Sequence, residues 1–331
     1  MQRQAQPKRG QDTGEVRSAR RRGRLVWHAG LLLVLAALLL GCAEQPEPQA
    51  DAAAPLRVVA TMSIVADLTE QVGGDLVHID VIVPVGADPH TYEPRPGDAQ
   101  LVEDADLLVS NGAGLEERWL QDMLARSDAI HAELAGDLEP RIFTEGEDVG
   151  EPDPHMWNDP ILVRDGYLPV LVTALKEALP DEQADDVAAR AEAYTEELST
   201  LDADLAAAVD TIPDGNRKLV TTHDAFTYFG ARYGVTVSGT LYGVSTEVEP
   251  SAAEVSELIE VIRDEQVPAV FIETLTDPAL MERVASEAGV ALGRELLGDS
   301  VGEEPGTDTY VGMMRANVGA IVEGLGGSAT L

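Results

Sequence analysis

The sequence predicts an α/β fold of two lobes, each a parallel sheet flanked by helices, joined by one long rigid α-helix. Three observations carry this prediction. From Leu56 onward short apolar runs alternate with amphipathic stretches, the pattern of strands separated by crossover helices. That alternation occurs once before residue 180 and again after residue 217. Between the two series, apolar residues recur every three or four positions without a break, from Val187 through Tyr194, Leu198, Leu201 and Leu205 to Ile212.

Taken in order, the chain opens with an Arg-rich stretch that leads into the apolar run Leu31 to Leu40 and ends at Gly41-Cys42. This is the layout of a secretory signal over residues 1–41, and the run falls short of the about 20 apolar residues a spanning helix needs. Arg20-Arg21-Arg22 does not by itself separate twin-arginine from general export. Leu39-Leu40-Gly41-Cys42 resembles a bacterial lipobox, which implies that Cys42 becomes the lipidated first residue of the mature protein. Residues 42–55 are rich in Ala, Pro and acids with no apolar period, and read as a flexible tether.

Strands are predicted at Leu56–Thr61, Val77–Val83, Asp106–Ser110, Lys218–Thr222, Val235–Leu241, Ala269–Leu275 and Val290–Leu296, where short β-branched runs meet turn residues. Helical periodicity falls between them at Ile64–Val72, Leu115–Ala125, Ile161–Ala178, Ala225–Tyr233, Ala252–Glu265, Pro278–Ala288 and Tyr310–Leu325. The long helix is bounded by Pro180 and by Pro213-Asp214-Gly215. Some 30 residues at 1.5 Å per residue make a rod of about 45 Å, and such a strut should limit hinge closure. The lobes are therefore placed at residues 56–180 and 213–331, with 181–212 between them.

Composition narrows the function. The chain carries 23 basic and 59 acidic residues, a net charge of −36. Eight of the basic residues precede residue 42 and only Asp12 and Glu15 oppose them there, so the rest is more acidic still, with 15 basic against 57 acidic residues. Such a surface repels a phosphate backbone, which excludes nucleic acid as a partner. Cys42 is the single cysteine, so the exported chain has no internal disulfide and no thiolate ligand or nucleophile.

The six histidines sort by position. His28 leaves with the leader; His78 lies within a strand and His131 near a helix end, both packing or solvated residues. His90 follows a strand in Asp88-Pro-His, His155 sits in a second Asp-Pro-His that starts at Asp153, and His223 ends the strand that begins at Lys218. Proline stiffens both turns, and stiff presentation of a neutral imidazole suits a metal ligand. Ligands gather beyond the carboxyl ends of parallel strands, and a carboxylate can complete a four-fold set. Asp299, after the last strand, is the leading candidate, with Glu273 and Asp224 as alternatives. The acids Glu145, Glu147, Asp148, Glu151 and Asp153 read as a solvated loop.

Val83-Pro-Val-Gly-Ala-Asp-Pro-His-Thr-Tyr-Glu-Pro, Asp153-Pro-His-Met-Trp-Asn-Asp-Pro, Thr222-His-Asp-Ala-Phe-Thr-Tyr-Phe and Gly306-Thr-Asp-Thr-Tyr-Val-Gly-Met occur here in the order found in the zinc/manganese substrate-binding lipoproteins of bacterial ABC importers. The chain resembles that family from Leu56 to its C-terminus. The resemblance implies metal bound in the cleft between the lobes by His90, His155, His223 and Asp299, with Asp299 rather than Glu273 as the carboxylate. It implies that the ion, Zn2+ or alternatively Mn2+, is cargo passed to an ABC permease with its ATPase, and that the chain acts as a monomer anchored to the membrane by lipid. Manganese carriers of this kind often present glutamate at the position of His223, whereas many zinc carriers add a His-rich loop that Thr144 to Pro154 lacks. Three nitrogens with one carboxylate favour zinc. The competing readings are a secreted zinc hydrolase, which needs an open metal position that a fourth protein ligand closes, and a surface adhesin.

Overall fold

The computed structural model describes residues 54–144, 149–244, 246, 248–328 and 331. The predicted signal peptide, Cys42, residues 42–53 of the predicted tether, and Glu145, Glu147 and Asp148 lie outside the described residues. No helix among the described residues is long and apolar enough to cross a membrane.

The first sheet has four parallel strands in the order β2-β1-β3-β4: β1 Leu56–Met62, β2 Val77–Val83, β3 Leu107–Ser110 and β4 Ile130–Glu133. β1 and β3 are central, and their buried runs, Val58 to Met62 and Leu107 to Val109, are apolar almost throughout because helices cover both faces. The crossovers are α1 Ser63–Gly73, α2 Pro96–Asp104 and α3 Glu117–Leu124. Pro96 opens α2, and Asp98 accepts the Arg95 backbone N–H at 2.6 Å and the Tyr92 hydroxyl at 2.8 Å.

The second half repeats this topology. β5 Lys218–Thr221 pairs in parallel with β6 Thr236–Thr240, and β7 Ala269–Val270 pairs with β8 Ala291–Leu292. The Phe271 backbone N–H donates to the Val220 carbonyl at 2.9 Å, which sets β7 beside β5. The resulting order β6-β5-β7-β8 is the second-first-third-fourth arrangement of the first sheet. Its crossovers are α6 Thr227–Tyr233, α7 Ala252–Glu265 and α8 Pro278–Ala288. Ser251 caps α7, accepting from Glu254 N–H while the Glu254 carboxylate accepts the Ser251 N–H at 2.6 Å; Asp277 caps α8 ahead of Pro278.

Between the halves run α4 Leu168–Ala178 and α5 Ala184–Val209. α5 is shorter than the predicted span from Asp181, because Asp181–Gln183 after Pro180 forms a 3-10 turn. Its buried stripe of Val187, Tyr194, Leu198, Leu201 and Leu205 packs on α1 and α4 from the first half and on α9 Tyr310–Gly324 from the second. One apolar cluster therefore runs from β1 through α5 to α9, and a smaller one lies between β7, α7 and α8.

The strands predicted at Ala269–Leu275 and Val290–Leu296 shorten to Ala269–Val270 and Ala291–Leu292, and two further elements lie outside the prediction. His131 belongs to β4 rather than to a helix end, and its Nε2 lies 2.8 Å from Ser110 Oγ. β4 is four residues long with an alternating exposed face, too short and too polar to read as a strand beside the apolar central ones. α2 likewise carries no helical period in the sequence, since Val102 is its single deeply buried apolar residue.

Candidate metal centre

Each of the four candidate side chains reaches one point from a different loop. His90 comes from the segment after β2, His155 from the turn that opens Met156–Asn158, His223 from the exit of β5, and Asp299 from the segment after β8. His155 does not follow a strand directly. It follows a short antiparallel bridge between Ile142 and Pro152, so its presentation comes from the Asp-Pro turn and not from a strand exit.

The imidazoles converge through Nε2. His155 Nε2 stands 3.1 Å from His90 Nε2 and 3.3 Å from His223 Nε2. Asp299 faces all three, with Oδ2 at 3.1 Å from His223 and 3.7 Å from His90, and Oδ1 at 3.6 Å from His155. The four donor atoms lie within 4.8 Å of one another. A tetrahedron with bonds of about 2.0–2.1 Å has edges of about 3.3–3.4 Å, and the His155–His90, His155–His223 and His223–Asp299 spacings lie close to that length. His155, His223 and Asp299 are buried and His90 nearly so, and Asp299 Oδ1 has no hydrogen-bond partner among the described residues.

A second layer of carboxylates aims the rings. Asp153 Oδ1 lies 2.8 Å from His155 Nδ1 and accepts the His155 backbone N–H at 3.0 Å. Glu273 Oε2 lies 2.6 Å from His223 Nδ1, and its Oε1 accepts the His223 backbone N–H at 2.9 Å. A carboxylate on Nδ1 leaves Nε2 as the donor atom and raises its basicity. Asp153 is thus 1% exposed and structural, not part of a solvated loop. Glu273 stands behind His223, on the far side of the ring from the convergence point, and neither it nor Asp224 belongs to the four-atom cluster. Gly298 makes room for this layer: a Cβ there would stand 2.3 Å from Glu273 Oε2 and 3.2 Å from His223 Cε1.

The electrostatics follow from burial and from these carboxylates. Burial drives the His90 pKa down to about 3, with Asp299 opposing and the two other histidines reinforcing the shift. At His223 burial acts in the same direction, but Asp299 and Glu273 outweigh it and hold the ring well above the ordinary imidazole value. Asp299 is itself pulled well below the usual carboxylate range by the three histidines, against the effect of its burial.

The scaffold around His155 is closely tied. Trp157 Nε1 donates to the Gly298 carbonyl at 2.9 Å, Tyr310 hydroxyl to the Trp157 carbonyl at 2.7 Å, and Asn158 Nδ2 to the Ala225 carbonyl at 3.0 Å. Hollows of about 560 Å³ beside α9 and about 480 Å³ beside β4 and α4 contain none of the four residues.

Residues 58–324 match the family described as the periplasmic component A of the zinc-uptake complex, ZnuA. The chain is 34% identical over 297 residues to the manganese-binding lipoprotein MntA of Halalkalibacterium halodurans, covering 89% of this chain and 97% of that one. It is 32% identical over 309 residues to the manganese ABC transporter substrate-binding lipoprotein PsaA of Streptococcus pneumoniae, covering 90% and 98%. Among solved structures, the periplasmic zinc-binding protein TroA of Treponema pallidum superposes with a TM-score of 0.76 at 31% identity, over 82% of this chain and 99% of TroA.

Proposed function

Because the chain belongs to the ZnuA family of metal-binding lipoproteins that serve ABC importers, we infer that it captures a divalent transition-metal ion outside the cytoplasmic membrane and hands it to a permease driven by a separate ATPase. The observation that carries this reading is the convergence of three imidazoles and the Asp299 carboxylate, whose donor atoms all lie within 4.8 Å of one another. His90, His155, His223 and Asp299 are the ligands, the first two contributed by the lobe at 56–180 and the others by the lobe at 213–331. Closure onto an ion then joins the lobes, so that loaded and empty forms differ in a way a permease can discriminate. Cys42 carries the lipid anchor, and the chain works as a monomer.

Zinc is the preferred cargo and manganese the alternative. Three nitrogens with one carboxylate suit tetrahedral zinc, and the zinc-binding TroA shares the fold, whereas MntA and PsaA carry manganese in their names. A hydrolytic role has no support here: the fourth protein donor takes the position a catalytic water needs, and the family is one of solute-binding proteins. An adhesin role has no support in the site either.

The test is competitive titration of the metal-stripped chain with zinc and manganese at buffered free-ion concentrations. Tight zinc binding with weak manganese binding is expected. Comparable binding of both removes the zinc preference, and binding of neither removes the site. His223→Glu, which exchanges a nitrogen for oxygen, is expected to move preference toward manganese.

A further inference from the structure

The two Asp-Pro-His turns are built alike. In each, the aspartate accepts the backbone N–H of its histidine, Asp88 Oδ1 from His90 at 2.8 Å and Asp153 Oδ1 from His155 at 3.0 Å. In each, the second carboxylate oxygen accepts a threonine hydroxyl from the other half of the chain, Thr246 on Asp88 and Thr227 on Asp153. The surroundings differ. The Asp153 turn is further held by the Tyr228 hydroxyl, which donates to the Asp153 carbonyl at 3.1 Å, and by Asp153 on His155 Nδ1. The Asp88 turn sits in a mostly exposed loop, with one other cross-half hydrogen bond among the described residues, Gly86 N–H to Ser300 Oγ at 3.2 Å. His90 is also the one histidine of the three with no carboxylate at Nδ1 among the described residues. Thr246 meanwhile borders a small hollow shared with His223, Glu273 and Asp299.

We propose that Thr246 is a positioning residue of the metal centre: by holding Asp88 it fixes the His90 arm, and so sets how fast a captured ion leaves. The inference depends on His90 being a ligand. Of the three histidines, His90 has the least support besides this latch, so it is the ring whose withdrawal opens the site. The His155 turn, tied at several buried points, stays in place.

Thr246→Val keeps the shape of the side chain and removes its hydroxyl. The experiment measures zinc release from the full chain into excess chelator by stopped flow, with zinc affinity by competition and the melting temperature of the metal-free protein alongside. A lost hydrogen bond to a charged acceptor predicts release about tenfold faster, a loss of zinc affinity larger than any fall in metal-free stability, and rescue of both by Thr246→Ser. Release within twofold of the parent rate, or an equal loss in Thr246→Ser, overturns the latch while tight zinc binding by the parent chain leaves the ligand assignment standing. If His90→Ala binds zinc as tightly as the parent, the ligand assignment fails and the latch fails with it.

Discussion

Glu273 holds His223 by two contacts at once, with Oε2 2.6 Å from Nδ1 and Oε1 accepting the backbone N–H at 2.9 Å. One carboxylate thereby fixes both the ring and the strand exit that carries it. Glu273→Gln keeps the volume but replaces one of the two acceptor oxygens with a donor. Zinc affinity is expected to fall about 10–100-fold, as for other outer-layer partners of ligating histidines. Competitive titration checks this, and an unchanged affinity would show that the ring is held by packing alone.

Replacing any proposed ligand is expected to cost more. His90→Ala, His155→Ala and Asp299→Ala should each weaken zinc by over about a hundredfold, since each leaves the ion three protein donors. His78→Ala and His131→Ala should not. His78 is exposed on the edge strand β2 and His131 lies on β4 bonded to Ser110, with no metal cluster at either among the described residues. Equal losses at all five positions would defeat the assignment.

The alternation of strands and helices was readable because the central strands β1, β3 and β5 are buried on both faces and so appear as apolar runs. The edge strand β4 and helix α2 were hidden for the opposite reason, since their exposed positions dilute any period. The three histidines could be read from stiff turns at the ends of elements. Asp153 and Glu273 could not be assigned their roles: among so many acids, only three-dimensional proximity reveals which two stand behind a ring. Asp153-x-His155 is the one local signal, because an aspartate two residues before a histidine can reach its N–H.

The charge on His223 in the metal-free site couples metal binding to pH. His223 is held protonated at neutral pH by Asp299 and Glu273, while burial keeps His90 neutral. An ion needs the Nε2 lone pair of His223, so binding expels its proton. Zinc binding near pH 7 is therefore expected to release the His223 proton and to tighten as pH rises. Calorimetry in buffers of different ionisation heat checks this, and zero protons released would mean that His223 is already neutral. The same shifts set the stability of the metal-free form. The raised His223 pKa contributes stability that is full below about 6.5 and lost as pH rises through the folded value. The lowered Asp299 pKa contributes above about 3.9 and is lost as pH falls through its folded value.

Asn111 links the first sheet to the His155 turn. It is fully buried after β3; its Nδ2 donates to the Pro154 carbonyl at 3.1 Å, and its Oδ1 accepts the Tyr167 hydroxyl at 2.6 Å. Its backbone N–H donates to Glu116 Oε1 at 2.8 Å, and that oxygen also accepts the Thr61 hydroxyl at 2.6 Å. Asn111→Ala leaves the Pro154 carbonyl and the Tyr167 hydroxyl buried without this partner, a loss of about 1–3 kcal/mol each at most. Chemical denaturation should show a cost in that range. Zinc affinity should fall severalfold as well, because Pro154 immediately precedes His155. Tyr167→Phe removes the other end of the same chain of bonds but leaves Asn111 on Pro154, so it should lower stability by about 1 kcal/mol and leave zinc affinity intact. Equal effects of the two variants on affinity would mean that the His155 turn responds to overall stability, and not to the bond from Asn111.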